Sequence, residues 1–306
     1  MLKGIRAEFF LIFGATTFAL NGIVSKLILG GGLSAPRLTQ VRCTGSFLIL
    51  LIYVLLRNGN ALKAKREELP WLAAYGVIGF ALVQVGYFIA IARMHVSVAL
   101  IIEFTAPIWI VLYVRFVRKK VVPRLMWVAI ALAFSGLLLV AQVWKGMTLD
   151  GIGLLAAFLD AFALATYFVL GEKLVAHRST ETLTVWGLGF ASLTWAIFTP
   201  LWSFPTSVFS EHVTLSGALE GKVVPTWTLL LWNIVLGTIL PYLAVLQGLK
   251  SLSASTSSVI GMLEPVIAGV FAWWLLREEF VPIQLLGGLI VIIGIILADR
   301  ARSEVH

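Results

Sequence analysis

Residues 107–140 read PIWIVLYVRFVRKKVVPRLMWVAIALAFSGLLLV, and residues 265–298 read PVIAGVFAWWLLREEFVPIQLLGGLIVIIGIILA. Both stretches open on a proline, run through apolar residues, turn through a charged patch at a second proline, and close on a glycine-bearing apolar segment. Pro107 and Pro265 lie 158 residues apart, and so do Gly136 and Gly294, while Pro123 and Pro282 match after a one-residue shift. The pattern points to a duplicated chain. Working outward, each copy holds five apolar segments, an odd number, so the second copy must enter a membrane with opposite polarity. Inverted repeats of this kind are a transporter architecture, with the substrate site between the repeats near the midplane.

Composition agrees that the solvent is lipid. Only 12% of the 306 residues are charged and mean hydropathy is +0.99, against about 25% charged in soluble domains. The net charge of +8 comes from short basic clusters between long apolar runs, which marks charged loops and not a nucleic-acid partner. Since about 20 apolar residues span the hydrocarbon core, the chain accommodates ten spans and no separate soluble domain. We place them at 8–29, 36–56, 70–92, 96–117, 125–143, 151–171, 183–202, 226–249, 254–276 and 282–298. The apolar runs do not alternate as barrel strands must. The expected fold is an all-α integral membrane bundle of two inverted five-helix repeats, 1–146 and 147–306, around a central cavity. The longest link, from Ser203 to Pro225, is the place for interfacial structure. The run from Phe9 reads as the first membrane helix and not as a removed leader. Cys43 is the single cysteine, so neither an intramolecular disulfide nor a cysteine metal cluster is expected.

Orientation follows from the basic residues. With a cytoplasmic N-terminus, 16 Lys and Arg fall in inside segments and five outside (Arg37, Arg93, Lys145, Lys222, Arg277), leaving Lys26 and Arg42 within spans. That bias puts both termini in the cytoplasm, in a cell (inner) membrane.

The segment SASTSSVIGMLEPVIAGVFAWWLLREEFVPIQLLGGLIVIIGIILA resembles the second repeat of EamA-domain transporters of the drug/metabolite transporter superfamily. It carries that family's Leu263-Glu264-Pro265 element, a charged turn at Glu278-Glu279 and a closing glycine helix. LSAPRLTQVRCTGSFLILL is similar to the family's second helix, whose recurrent arginine falls on Arg42. Where the family often has Trp-Gly in helix 1, this chain reads Phe13-Gly14-Ala15-Thr16. The resemblance covers nearly the whole chain and implies ten helices and export or exchange of small metabolites.

Ionisable groups at bilayer depth are costly, about 2.5–3.5 kcal/mol on insertion scales, so they mark function or a partner. Five stand in the spans: Lys26, Arg42, Glu103, Asp160 and Glu264. Arg42 and Glu103 lie at matched depth in helices 2 and 4 and can pair; the functional alternative is that Arg42 grips a carboxylate or phosphate in one state and Glu103 in another. Glu264 precedes Pro265, which frees a carbonyl near Gly261; an acid beside irregular backbone at mid-depth suits a substrate or proton site. Asp160 suits a proton carrier, or a partner for Lys26, although Lys26 is near enough to the helix end to snorkel. Asn21, Gln84, Tyr87, Thr105, Gln142, Tyr242 and Gln247 add uncharged polar groups. Of these Gln84 and Gln247, in the repeat-equivalent helices 3 and 8, are expected to face the cavity or to bond between helices. The run Ser251–Ser258 reads chiefly as close packing. Most of the 11 tryptophans fit interfacial belts.

The expected substrate-binding set is therefore Glu264, Arg42, Glu103, Gln84, Tyr87, Asn21, Tyr242 and Gln247, with Asp160 and Glu264 coupling an ion. No P-loop appears, so the energy source is an ion or substrate gradient, protons being one option. All four histidines fall outside the spans and no catalytic motif appears, which argues against an intramembrane enzyme and against any cofactor. Charges of both signs suit a zwitterion such as an amino acid; proton-coupled efflux of hydrophobic cations is the second reading. The partners expected are a small molecule and the lipid bilayer, and a monomer suffices because one chain holds both repeats.

Overall fold

A computed structural model describes residues 2–94, 96–145, 150–215, 217–276 and 281–303. The repeat boundary at 146/147 and the Glu278-Glu279 turn lie outside these residues. The helical segments are α1 (Leu2–Gly30), α2 (Ala35–Asn58), α3 (Leu69–Arg93), α4 (residues 96–117), α5 (Arg124–Val140), α6 (Gly151–Val175), α7 (Thr180–Phe198), α8 (Thr226–Leu249), α9 (residues 254–276) and α10 (Pro282–Ser303). Among the described residues, eight are long and apolar enough to cross a membrane. The α5 segment is apolar but shorter, and α7 opens on the polar run Thr-Glu-Thr-Leu-Thr.

Local chemistry sets the ends. Gly32 follows α1 at φ +100°, a conformation that costs glycine little. Pro36 stands in the first turn of α2, where its missing N–H is no loss. The side chains of Asp150, Ser179 and Ser253 accept from the backbone N–H of Gly153, Thr182 and Thr256 and so cap α6, α7 and α9. The Gly153 N–H, with Arg93 beyond it, holds the Asp150 carboxyl below its ordinary range. The expected boundaries shift: α7 starts at its Ser179 cap and stops before Pro200, earlier than the expected 183–202, while α6 continues a turn beyond 171.

The fold is not purely helical. The link after α7 holds an antiparallel pair of three-residue strands, β1 (His212–Thr214) and β2 (Val223–Pro225). Arg37, in the first turn of α2, pins this link by donating to the carbonyl oxygens of Thr199, Pro200 and Ser203.

Side chains such as Ile52, Leu56, Phe116, Leu155, Leu159, Phe198 and Leu285 are exposed. A soluble surface would not tolerate so much contiguous apolar area; here it is the lipid face. Inside, one apolar cluster joins α3, α6, α7 and α8 through Tyr75, Phe80, Tyr167, Leu183 and Leu246. Another fills the end where α1 stops and α2 begins, with Ile28, Leu38, Phe88, Ile91 and Met94.

The α5 and α10 helices pack at backbone contact. A Cβ on Gly136 would lie 2.6 Å from the Gly287 carbonyl oxygen, and one on Gly294 would lie 2.8 Å from that of Ala129. These two contacts exchange under the 158-residue spacing, since Gly136 maps to Gly294 and Ala129 to Gly287. Small residues permit such close crossings where lipid offers no hydrophobic drive between helices.

At the far ends of α4, α6 and α9, the Glu172 carboxylate takes Arg118 Nη1 at 2.6 Å and the backbone N–H of Ala254 at 3.0 Å. One carboxylate thus ties three helices and offsets the positive end of the α9 dipole. Glu172→Ala is expected to lower the unfolding midpoint by a few degrees, consistent with about 1–2 kcal/mol for a partly exposed charged hydrogen-bond pair. Scanning fluorimetry in detergent checks it; an unchanged midpoint would show the tie to be energetically idle.

Candidate transport cavity

Two prolines break two helices at equivalent places. The α4 helix is interrupted at Phe104-Thr105, between Val96–Glu103 and Ala106–Leu112; α9 is interrupted at Met262, between Ala254–Gly261 and Leu263–Leu276. Pro107 and Pro265 have no N–H for the carbonyls four residues back, those of Glu103 and Gly261, and their rings crowd the same oxygens. The breaks lie about one repeat apart, as the prolines do. Each leaves an acid at the gap. Glu103 ends the first half of α4, and Glu264 stands in the first turn of the second half of α9, at the positive end of its dipole.

A second device recurs at the same spacing. Both α3 and α8 contain a π turn, Val77–Leu82 and Val235–Ile239, again starting one repeat apart. A π turn takes backbone carbonyls out of the regular ladder. In α8 this turn receives Arg42: its Nη2 donates to the Gly237 carbonyl oxygen at 2.6 Å and its Nε to Thr238 Oγ1 at 2.8 Å. Thr238 in turn donates to the carbonyl of Asn233. The guanidinium carbon lies 5.0 Å from the Phe88 ring centroid, a cation–π contact. The remaining nitrogen, Nη1, makes none of these bonds.

These elements surround a cavity of about 80 Å³. Its walls include Asn21, Arg42, Gln84, Tyr87, Glu103, Tyr242 and Glu264, so seven of the eight expected binding residues meet in one place. Arg42 and Glu264 are near enough to act on each other electrostatically. Much of the remaining lining is aromatic: Phe18, Phe104, Tyr167 and Phe168.

Several expectations change. Arg42 does not pair with Glu103: its donors go to α8, and Glu103 Oε2 has no hydrogen-bond partner. Equal depth in two helices says nothing about which way each side chain faces. Gln247 is not among the lining residues. The residue 158 positions beyond Gln84 is Tyr242, and Tyr242 is the one on the wall. Asp160 is 1% exposed and also absent from the lining, set behind the wall against Gly86, whose Cβ would come within 2.9 Å of the Asp160 Cβ. Neither Asp160 oxygen has a partner, so Lys26 does not pair with it; Lys26 is exposed, as snorkelling requires. No tryptophan is among the described lining residues.

Sequence reasoning passed over Tyr167 and Phe168, hidden among many aromatic residues on α6. It also took the serine-rich start of α9 mainly as packing, whereas Ser257 reaches the cavity with its Oγ unpartnered. A single serine aimed inward from such a run leaves no signal in composition.

Against known proteins, the model of the EamA-like transporter family matches twice, over residues 5–142 and 151–298. The chain belongs to the EamA-like transporter family. It is an integral membrane transporter and not an enzyme, with a small-molecule substrate and lipid around it. The two matches on one chain agree with the duplication read from its prolines. Among relatives, the inner membrane transporter YicL of Salmonella typhimurium is 22% identical over 95% of this chain and 96% of that protein. The threonine/homoserine exporter RhtA of Escherichia coli K12 is 27% identical over 89% of this chain and 85% of that protein. A solved crystal structure superposes with a TM-score of 0.72 over 98% of both chains at 18% identity, a likeness of fold alone.

Proposed function

We propose that this EamA-family protein exports or exchanges a small zwitterion, an amino acid or close analogue, by alternating access between two inverted five-helix repeats, 1–146 and 147–306. The observation that carries the reading is a guanidinium and two carboxylates on the wall of one cavity. Arg42 Nη1, left over from the bonds that anchor the other two nitrogens, receives the substrate carboxylate. Glu264, with Glu103 across the break-lined wall, receives the ammonium group. The similarity to a threonine/homoserine exporter supports the same substrate class. Discontinuous helices at mid-depth, recurring at a fixed spacing, suit a site shared by two inverted units.

In this reading ten helices cross the membrane, α5 and α7 included, and both termini are cytoplasmic. The basic residues of the loops support that orientation, and the kinship with YicL supports an inner-membrane setting. Protons couple through Asp160 and Glu264, and a monomer is sufficient because one chain encloses the cavity. A second reading, efflux of hydrophobic cations in exchange for protons, draws on the aromatic lining, since ring faces attract cations.

Uptake of a labelled amino-acid panel into proteoliposomes tests the proposal. Glu264→Gln is expected to lower uptake more than about tenfold, as loss of a charged hydrogen bond of about 1.5–3 kcal/mol implies, with the amount of folded protein unchanged by gel filtration. Full uptake by this variant would remove Glu264 from the substrate and proton path. Transport of lipophilic cations in place of any amino acid would favour the second reading.

A further inference from the structure

Gln84 is a buried amide with the Cys43 thiol beside it and no well-formed hydrogen bond. It is 3% exposed, lines the cavity, and neither its nitrogen nor its oxygen has a hydrogen-bond partner. Ser257, 0% exposed and on the wall supplied by α9, likewise has an unpartnered Oγ. Buried polar atoms in native proteins almost always have partners, and those without one call for an explanation. Arg42, Glu103 and Glu264 account for the two charges of a zwitterion. They leave Gln84 and Ser257 without a task, as they do Asn21 Oδ1, which also lines the cavity unpartnered. Gln84 presents one donor pair and one acceptor; Ser257 presents one of each. Together they match a group that both donates and accepts, which is what a hydroxyl or a carboxamide does.

The size of the space agrees. At about 80 Å³ the cavity suits a metabolite of few heavy atoms. A large apolar side chain would also strand the Gln84 amide among carbon atoms, the arrangement by which sites built for hydrogen bonds reject analogues that lack them.

We propose that the cavity selects zwitterions whose side chain carries a hydroxyl or carboxamide, and that Gln84 and Ser257 are the residues that read that group. The inference rests on the zwitterion reading above and narrows it. Water occupies the two polar groups between turnovers, and a polar side chain replaces it without loss of hydrogen bonds. An apolar side chain of the same shape displaces the water and returns nothing.

L-Threonine and L-valine have nearly the same shape and differ by hydroxyl for methyl, which makes them the probes. Their binding to the full chain in lipid nanodiscs, followed by calorimetry, is expected to favour threonine by about tenfold or more. Gln84→Leu is expected to bring that ratio within about threefold, chiefly by weakening threonine, and Ser257→Ala to lower it some of the way in a variant that adds no bulk. Equal affinities for threonine and valine in the unmodified protein, or a preference for valine, would overturn the inference and leave the zwitterion reading standing. An unaltered ratio in both variants would remove Gln84 and Ser257 from the role. Silence from both amino acids, alongside binding of a lipophilic cation, would overturn the zwitterion reading and this inference with it.

Discussion

Arg42→Ala is expected to reduce transport of a carboxylate-bearing substrate about 100-fold, because a charge-assisted hydrogen bond contributes about 1.5–3 kcal/mol and about 1.4 kcal/mol is a factor of ten. The loss has a second source. With the guanidinium gone, Glu103 and Glu264 face the cavity with no cation opposite, and an anionic substrate group must enter against them. Arg42→Lys separates charge from geometry. A lysine keeps the positive charge but has a single ammonium, which cannot both hold the Gly237 carbonyl and Thr238 Oγ1 and offer a free donor to the substrate. We expect less than about a tenth of normal transport from it. The measurement is uptake into proteoliposomes, with thermal unfolding followed in parallel. Normal uptake by the alanine variant would exclude a carboxylate contact at this position.

The largest structural effect is expected at the α5–α10 crossing. A Cβ on Gly136 would meet the Gly287 carbonyl oxygen at 2.6 Å and the Val291 backbone nitrogen at 2.8 Å. Both are backbone atoms, which cannot rotate aside as a side-chain tip would. Gly136→Leu must therefore push α5 and α10 apart along their whole contact, at a cost of about 3 kcal/mol or more, the upper range for overpacking. Loss of the monodisperse peak in detergent and of the cooperative unfolding transition are the expected readouts. Gly151, whose added Cβ would meet nothing within 4 Å, gives the control: Gly151→Ala should leave both unchanged. A well-folded Gly136→Leu protein would mean that the two helices can separate freely.

The frame of this protein was legible before any coordinates. Pro107 and Pro265, Gly136 and Gly294 report a duplication by spacing alone, and the family model matches each half. The breaks in α4 and α9 follow from those prolines, because a missing N–H acts within one turn. The acids at the breaks stood out because a charge in an apolar run is conspicuous in one dimension. Less legible were features that depend on direction. Arg42 and Glu103 were set at equal depth, yet Arg42 faces α8. Helix number pairs Gln247 with Gln84, whereas the counterpart at the 158-residue spacing is Tyr242. Ser257 is one serine among several in its run, and only the packed bundle brings its Oγ to the cavity.

The letters alone were enough for solvent, duplication, the irregular backbone at Pro265 and the position of each intramembrane charge along the chain, because these depend on composition and on forces acting along a few bonds of backbone. The direction in which each side chain faces came only from the packed bundle. A π turn adds about one residue to a helical turn, and each added residue rotates everything beyond it by about 100°. The turns at Val77–Leu82 and Val235–Ile239 therefore reset the faces of α3 and α8 just before Gln84 and Tyr242. No apolar period records that rotation, and it decides which polar groups share the cavity with Arg42.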